Sequence, residues 1–140
     1  MKNTEPTKYL LVIHGPNMNL LSLMTAGKEK RITLDKINKC LRNEAQKIKQ
    51  KLKIIHTNEE STAVTLLQRR RNKISGIILF PGPWQKSAHV LKDTLDLLQI
   101  PYVTVSTGEE VEILSGIDNI KETDLMKGCK IALETLKPLA

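Results

Sequence analysis

A parallel α/β sheet of four to five strands, with helices on both faces, is the fold class this sequence predicts, and three observations predict it. Short apolar, β-branched runs alternate along the 140 residues with stretches of helical periodicity, at intervals of roughly 20 to 30 residues. Aromatics are scarce, one Phe, one Trp and two Tyr, so the core must be mostly Leu, Ile and Val, as in strands buried on both faces. Turns rich in glycine, proline and asparagine then close the runs abruptly, and right-handed crossovers join the strands.

The first strand is Tyr9 to Ile13, a run too short for a helix and ended by Gly15-Pro16. Its turn carries Asn17 and Asn19. At the carboxyl end of a strand in an open sheet such amides either meet a ligand or bond their own backbone, and spacing alone leaves both readings open. Ser22 to Arg31 is polar and aperiodic, a mobile loop of lid length. Thr33 caps a helix that carries Leu34, Ile37, Leu41, Ala45, Ile48 and Leu52 at helical spacing.

Lys53 to Thr57 is a second strand, followed by a turn at Asn58, Glu59 and Glu60. Ser61 or Thr62 can cap the next helix, with Val64, Leu67 and Arg70 on successive turns. Ile77 to Phe80 is the third strand, stopped by Pro81-Gly82-Pro83. A helix runs from about Ser87 to Gln99, with Val90, Leu91, Leu95 and Leu98 on one face. Tyr102 to Val105 is the fourth strand. Val111 to Leu114 is the candidate for a short fifth, Asp118 to Asp124 is polar loop, and a last helix runs from about Asp124 to Leu136. The architecture these elements predict is flavodoxin-like, in a single domain spanning residues 1–140.

No apolar run approaches the length that crosses a bilayer, and the N-terminal run is too short for a signal peptide, so a cytoplasmic protein without membrane partners is expected. Cys40 and Cys129 have no CxxC partner or His cluster, which leaves them as packing residues and gives no metal site. The net charge of +7 fits steering of a small anion or a nucleic-acid partner. Its one dense block, Arg69-Arg70-Arg71, suits a helix end and lacks interleaved aromatics, so nucleic acid is disfavoured. No GxGxxG or P-loop follows the first strand, so dinucleotide and ATP cofactors lack their phosphate cradle.

The run His14-Gly15-Pro16-Asn17-Met18-Asn19-Leu20-Leu21 resembles the HGPNLNLL signature that opens the type II 3-dehydroquinate dehydratases. Thr33-Leu34 and Ile37 resemble that family's first helix after a lid of the same length, Thr57-Asn58-Glu59-Glu60 its SNxE turn, Phe80-Pro81-Gly82 its NPG, and Ile100-Pro101-Tyr102-Val103 its IPVVEV strand. The resemblance reaches to about Val105. It implies a flavodoxin-like subunit that associates as a trimer and then a dodecamer, with no metal or cofactor. It also implies a small-molecule substrate, 3-dehydroquinate: a lid tyrosine made basic by an arginine removes a proton beside the ketone, and a histidine protonates the departing hydroxyl. Such chemistry needs a matched base, donors on the developing enolate and an acid across the ring.

The same resemblance, taken residue by residue, keeps the scaffold and loses the chemistry. The lid arginine falls on Met24, the lid tyrosine on Glu29, the NPG asparagine on Phe80 and the histidine that follows on Lys86; the glutamate and histidine of the EVH strand end fall on Thr104 and Ser106. No arginine follows Arg71 to clamp a carboxylate. Asn17, Glu60 and Asp93 are the matching positions that remain. A tyrosinate, near pKa about 10, is a far stronger base than a carboxylate near about 4.3, unless burial raises the latter.

The candidate catalytic pair is therefore Glu29 and Lys86, and the candidate ligand-binding residues are Asn17, Glu60, Phe80, Pro81, Gly82, Ser106 and Thr107. Against these stand plainer roles. Glu29 and Lys86 also read as solvated charges, Glu60 and Asp93 as helix caps or subunit contacts, and Trp84 as packing or as a pocket wall. The expected function is a diverged family member with dehydration lost or severely reduced and a pocket kept for a small, anionic ligand. The alternatives are a non-catalytic oligomeric scaffold for an acidic partner, and an altered lyase or isomerase using Glu29 and Lys86.

Overall fold

The computed structural model describes residues 8–27, 31–107, 112–122 and 124–137. Five parallel strands form one sheet: β1 (Tyr9–His14), β2 (Leu52–His56), β3 (Ile74–Phe80), β4 (Tyr102–Ser106) and β5 (Asp118–Lys121), in the order β2-β1-β3-β4-β5. This is the flavodoxin-like α/β arrangement. Every residue of β1 is buried, because it lies between β2 and β3 and has helices over both faces.

Alternation along β1 divides the core. Leu10 and Val12 pack with Ile37, Cys40 and Leu41 of α2 (Leu34–Lys47) and with Cys129, Ala132 and Leu133 of α6 (Leu125–Leu136). Tyr9, Leu11 and Ile13 pack on the opposite face with Val64 and Leu67 of α3 (Glu60–Arg70) and Leu91 and Leu95 of α5 (His89–Leu98). Thr33 caps α2 by accepting a bond from Lys36 N–H at 3.2 Å, and Asp124 caps α6 through Met126 N–H at 3.1 Å. Two one-turn helices, α1 (Leu21–Met24) and α4 (Trp84–Ser87), follow the turns after β1 and β3.

Several elements differ from the sequence expectation. The fifth strand is β5, within the segment read as polar loop, and residues 112–114 form no strand; Val111 lies outside the described residues. An edge strand needs only one inward side chain, here Ile120, so its polar neighbours hid it. The expected third helix is α5, and the one-turn α4 ahead of it, set off at Ala88 (ψ 62°), was not expected. Val90 faces out with Leu97, seven residues on, and both are exposed. Leu52 opens β2 rather than closing α2. Helix α3 begins at Glu60, without a side-chain cap from Ser61 or Thr62. Strand β3 starts three residues early, at Ile74, where Gly76 leaves room for the Leu10 side chain, whose Cδ2 would lie 2.9 Å from any added Cβ.

Candidate functional site

In this strand order the winding of successive strands reverses between β1 and β3, and the carboxyl ends of those two parallel strands open onto the crevice where α/β sheets bind ligands. Gly15 and Pro81 bring the two turns together. Gly15 N–H donates to Phe80 O at 2.9 Å, and Trp84 N–H to Pro81 O at 3.0 Å. Asn17 takes a left-handed backbone (φ 69°) at the start of a single 3-10 turn, Met18–Leu20, and its N–H donates to the Asn58 side-chain oxygen at 3.0 Å. Asn58 therefore ties the β2 turn to the β1 turn, and Thr57 N–H adds a bond to His14 O at 3.0 Å.

A cleft of about 550 Å³ lies between these turns and α1, within the size range of small-molecule sites. Asn17, Gly82 and Lys86 line it together with Pro16, Met18, Leu20, Leu23, Met24 and Pro83. Three of the sequence-predicted residues are thus in one place. Gly82 reaches its position with φ 51°, a conformation natural to glycine. Lys86 is exposed on α4 and supplies the one formal charge among the described lining residues. Leu23 and Met24 are exposed apolar side chains on the α1 side.

The other predicted site residues are elsewhere. Phe80 is 1% exposed and turns into the core; its ring stacks obliquely on His14, centroids 4.6 Å apart. Only its backbone carbonyl serves the site. Pro81 is buried behind the turn. Glu60 reaches α5 instead, its carboxylate accepting Leu91 N–H at 2.9 Å, so it caps that helix rather than its own. Ser106 is buried at the end of β4, where its carbonyl accepts Glu122 N–H at 2.8 Å, and Thr107 is exposed beyond it; neither lines the cleft. Thr104 hydroxyl donates to the Asn119 side-chain oxygen at 2.8 Å, joining β4 to β5. Glu29 lies outside the described residues. Asp93 is exposed on α5.

Two positions escaped the sequence reading. His14 is completely buried, and its Nε2–H donates to the Asn38 side-chain oxygen on α2 at 2.7 Å. Burial lowers its pKa to about 4, the Asn38 bond partly opposes this, and neighbouring His56 lowers it further. His14 is consequently neutral at pH 7, with Nδ1 buried and unpartnered. Gln85, 1% exposed, clamps the segment before β5: its amide nitrogen donates to Leu114 O at 3.2 Å, and its amide oxygen accepts Leu114 N–H at 2.8 Å. A buried glutamine beside the only tryptophan is a polar residue that demands partners, and that was the available signal.

Gln85→Leu fills the same space but leaves both Leu114 backbone groups unsatisfied. A loss of roughly 2 to 4 kcal/mol is expected, read as a lower denaturation midpoint. The cysteines are buried and free; burial is the main cause that raises both thiols above their ordinary pKa. Among the described residues no three His, Cys, Asp or Glu side chains converge on a possible metal position, and no helix is long and apolar enough to cross a membrane.

Comparison with known proteins matches residues 8–112 to the family described as dehydroquinase class II. The 3-dehydroquinate dehydratase of Trichodesmium erythraeum is 35% identical over 96 residues, which span 69% of this chain and 64% of that protein. The chain thus aligns with a little under two thirds of this relative's length. The 3-dehydroquinate dehydratase of Endomicrobium trichonymphae is 32% identical over 98 residues, 70% of this chain and 68% of that protein. In fold, the type II dehydroquinase of Butyrivibrio crossotus superposes with a TM-score of 0.83 over 93% of this chain and 97% of the other, at 18% identity. That of Propionibacterium acnes gives 0.82 over 94% and 97%, at 20% identity. With the HGPNMNLL turn, the superposable fold and these matches together, the chain belongs to the class II dehydroquinase family.

Proposed function

We propose that this chain is a family member in which dehydration of 3-dehydroquinate to 3-dehydroshikimate is lost or severely reduced, and that its cleft holds a small anionic ligand. One observation carries this reading. Among the described residues the cleft at the β1/β3 switch point is lined by one cation, one asparagine side chain and otherwise by proline, glycine, leucine and methionine. Proton abstraction next to a ketone needs a base, and loss of the hydroxyl needs an acid on the other side of the ring. Lys86 offers a positive charge and hydrogen-bond donors, which suits holding an anion.

Each missing proton-transfer group costs a factor of about 10² to 10⁴. With acid and base both replaced, turnover is expected roughly 10⁴-fold or more below that of a family relative assayed beside it. The measurement is 3-dehydroshikimate formation at high protein concentration, and a rate within tenfold of the relative's overturns the proposal.

Ligand holding has its own test. Citrate and inorganic phosphate, added at constant ionic strength, are expected to raise the melting temperature of the protein. Asn17→Gly and Lys86→Gln should each remove most of that rise. Glycine is the suitable replacement at position 17 because φ is 69° there. A rise that survives both substitutions places the ligand elsewhere and rejects the cleft.

A further inference from the structure

The opposite end of the sheet carries a second concave feature. A cleft of about 600 Å³ is formed where the turns entering β1, β2, β3 and β4 converge. Four cations line it: Lys8 ahead of β1, Lys49 and Lys51 in the turn before β2, and Arg71 after α3. Among the described residues none of the four takes part in an ion pair, and the described lining contains no acidic side chain. Ser75, at the start of β3, lines the same cleft, and its hydroxyl is buried without a partner.

Helix ends are the competing explanation. The C-termini of α2, α3 and α5 all reach this cleft, and cations there offset the negative end of a helix dipole. Each helix end amounts to about half a negative charge, so three of them fall well short of neutralising four full positive charges. The surplus is positive and concave, a geometry that concentrates anions. Arg71 spends one of its five N–H donors on Gln68 O at 2.7 Å, which steadies the guanidinium and leaves the others available. Two turn residues, Lys49 (φ 56°) and Gln99 (φ 55°), hold left-handed backbones around the rim, a conformation that side-chain-bearing residues adopt at a cost. The described lining has no aromatic side chain on which a nucleobase would stack.

We propose that this cleft binds a small polyanion carrying two or more phosphate-type groups, at a site separate from the one at the carboxyl ends of the strands. Lys49, Lys51 and Arg71 supply the charge-assisted bonds, and Lys8 closes the side next to β1. The ligand class follows from charge and size: four cations around a volume suited to a small molecule favour several closely spaced anionic groups over a single carboxylate.

Inorganic tripolyphosphate is the probe, titrated calorimetrically into the intact protein at constant ionic strength. One equivalent per chain is expected. Lys51→Glu and Arg71→Glu should each weaken binding about tenfold or more, since each removes a charge-assisted contact, while Lys51→Arg keeps it. Lys86→Gln should leave it unchanged, which separates this site from the cleft beside Asn17. Circular dichroism without the probe establishes that the variants are folded. No binding beyond that of chloride at equal ionic strength overturns the proposal. So does loss of binding in Lys86→Gln alone, or an affinity in the two glutamate variants equal to that of the unsubstituted chain. Tighter binding, per phosphate, of a single-stranded oligonucleotide that the same variants abolish would assign the cleft to nucleic acid and reject the small polyanion.

Discussion

Gly15→Ala is expected to destabilise the protein by about 3 kcal/mol and to weaken ligand binding in the cleft beside Asn17. An alanine Cβ at this position would lie 2.8 Å from Phe80 O, 3.0 Å from Pro81 O and 3.1 Å from the Trp84 ring. Two of these neighbours are backbone carbonyls, and one accepts the Gly15 N–H. Neither can swing aside as a flexible side chain would. Relief requires the β1 and β3 turns to part, and those turns are the walls of the cleft. The effect sits at the upper end of the overpacking range because the backbone itself must move. Denaturant titration should show a lower midpoint with an unchanged slope, since the same core unfolds. Gly27→Ala is the internal comparison: Gly27 has φ +79° but nothing within 4 Å of an added Cβ, so only backbone strain of about 1 kcal/mol is expected there. Equal losses in the two variants would show that steric closeness at Gly15 is not the cause.

Acid should destabilise the fold through His14. The pKa of this side chain is about 4 in the folded chain, against an ordinary 6.5, so between those values the unfolded chain binds the extra proton. Stability therefore rises with pH across this window and is lost as pH falls from about 6.5 through 4, by roughly 3 kcal/mol in total. The physical cause is local. Nε2–H is already committed to Asn38, so a second proton must go onto Nδ1, which is buried beside the Phe80 ring without an acceptor. His14→Gln can keep the bond to Asn38 and has no titrating ring. Unfolding free energies measured from pH 7 to 4 should fall less steeply in this variant than in the unsubstituted chain. Parallel curves would remove His14 from the account, because other acid-titrating groups are common to both.

The residues that mattered differ in how visible they were beforehand. Asn17 was marked by its own chemistry, an amide in a glycine-containing turn after the first strand, whereas Gly82 was placed by resemblance, and both line the cleft. Lys86 was placed by resemblance and also lines it. Phe80, Glu60 and Ser106 were placed by resemblance too, yet their side chains serve the core, the start of α5 and the buried end of β4. A motif aligns Cα positions, whereas the direction of a side chain depends on its strand's pleat and on what fills the space opposite. At the end of β3 the pleat directs Phe80 toward His14 and α2. Gln85 and Asn38 gave no periodic signal, because a buried amide is defined by its partners and those are 29 and 24 residues away in sequence.

Local chemistry by itself determined the alternation of strands and helices, the first four strands, the helix cap at Thr33, the start of the last helix near Asp124, and the polar turn that follows the first strand. These follow from side-chain periodicity, proline geometry and short-range hydrogen bonds, which act over a few residues. Tertiary structure alone decided that Asp118–Lys121 is the edge strand, that a separate helical turn, α4, precedes α5, and that Glu60 caps α5. It also decided that four cations far apart in the chain meet in one cleft. Each of these depends on groups brought together by strand order, and strand order is set by how two helical layers bury the two faces of one sheet.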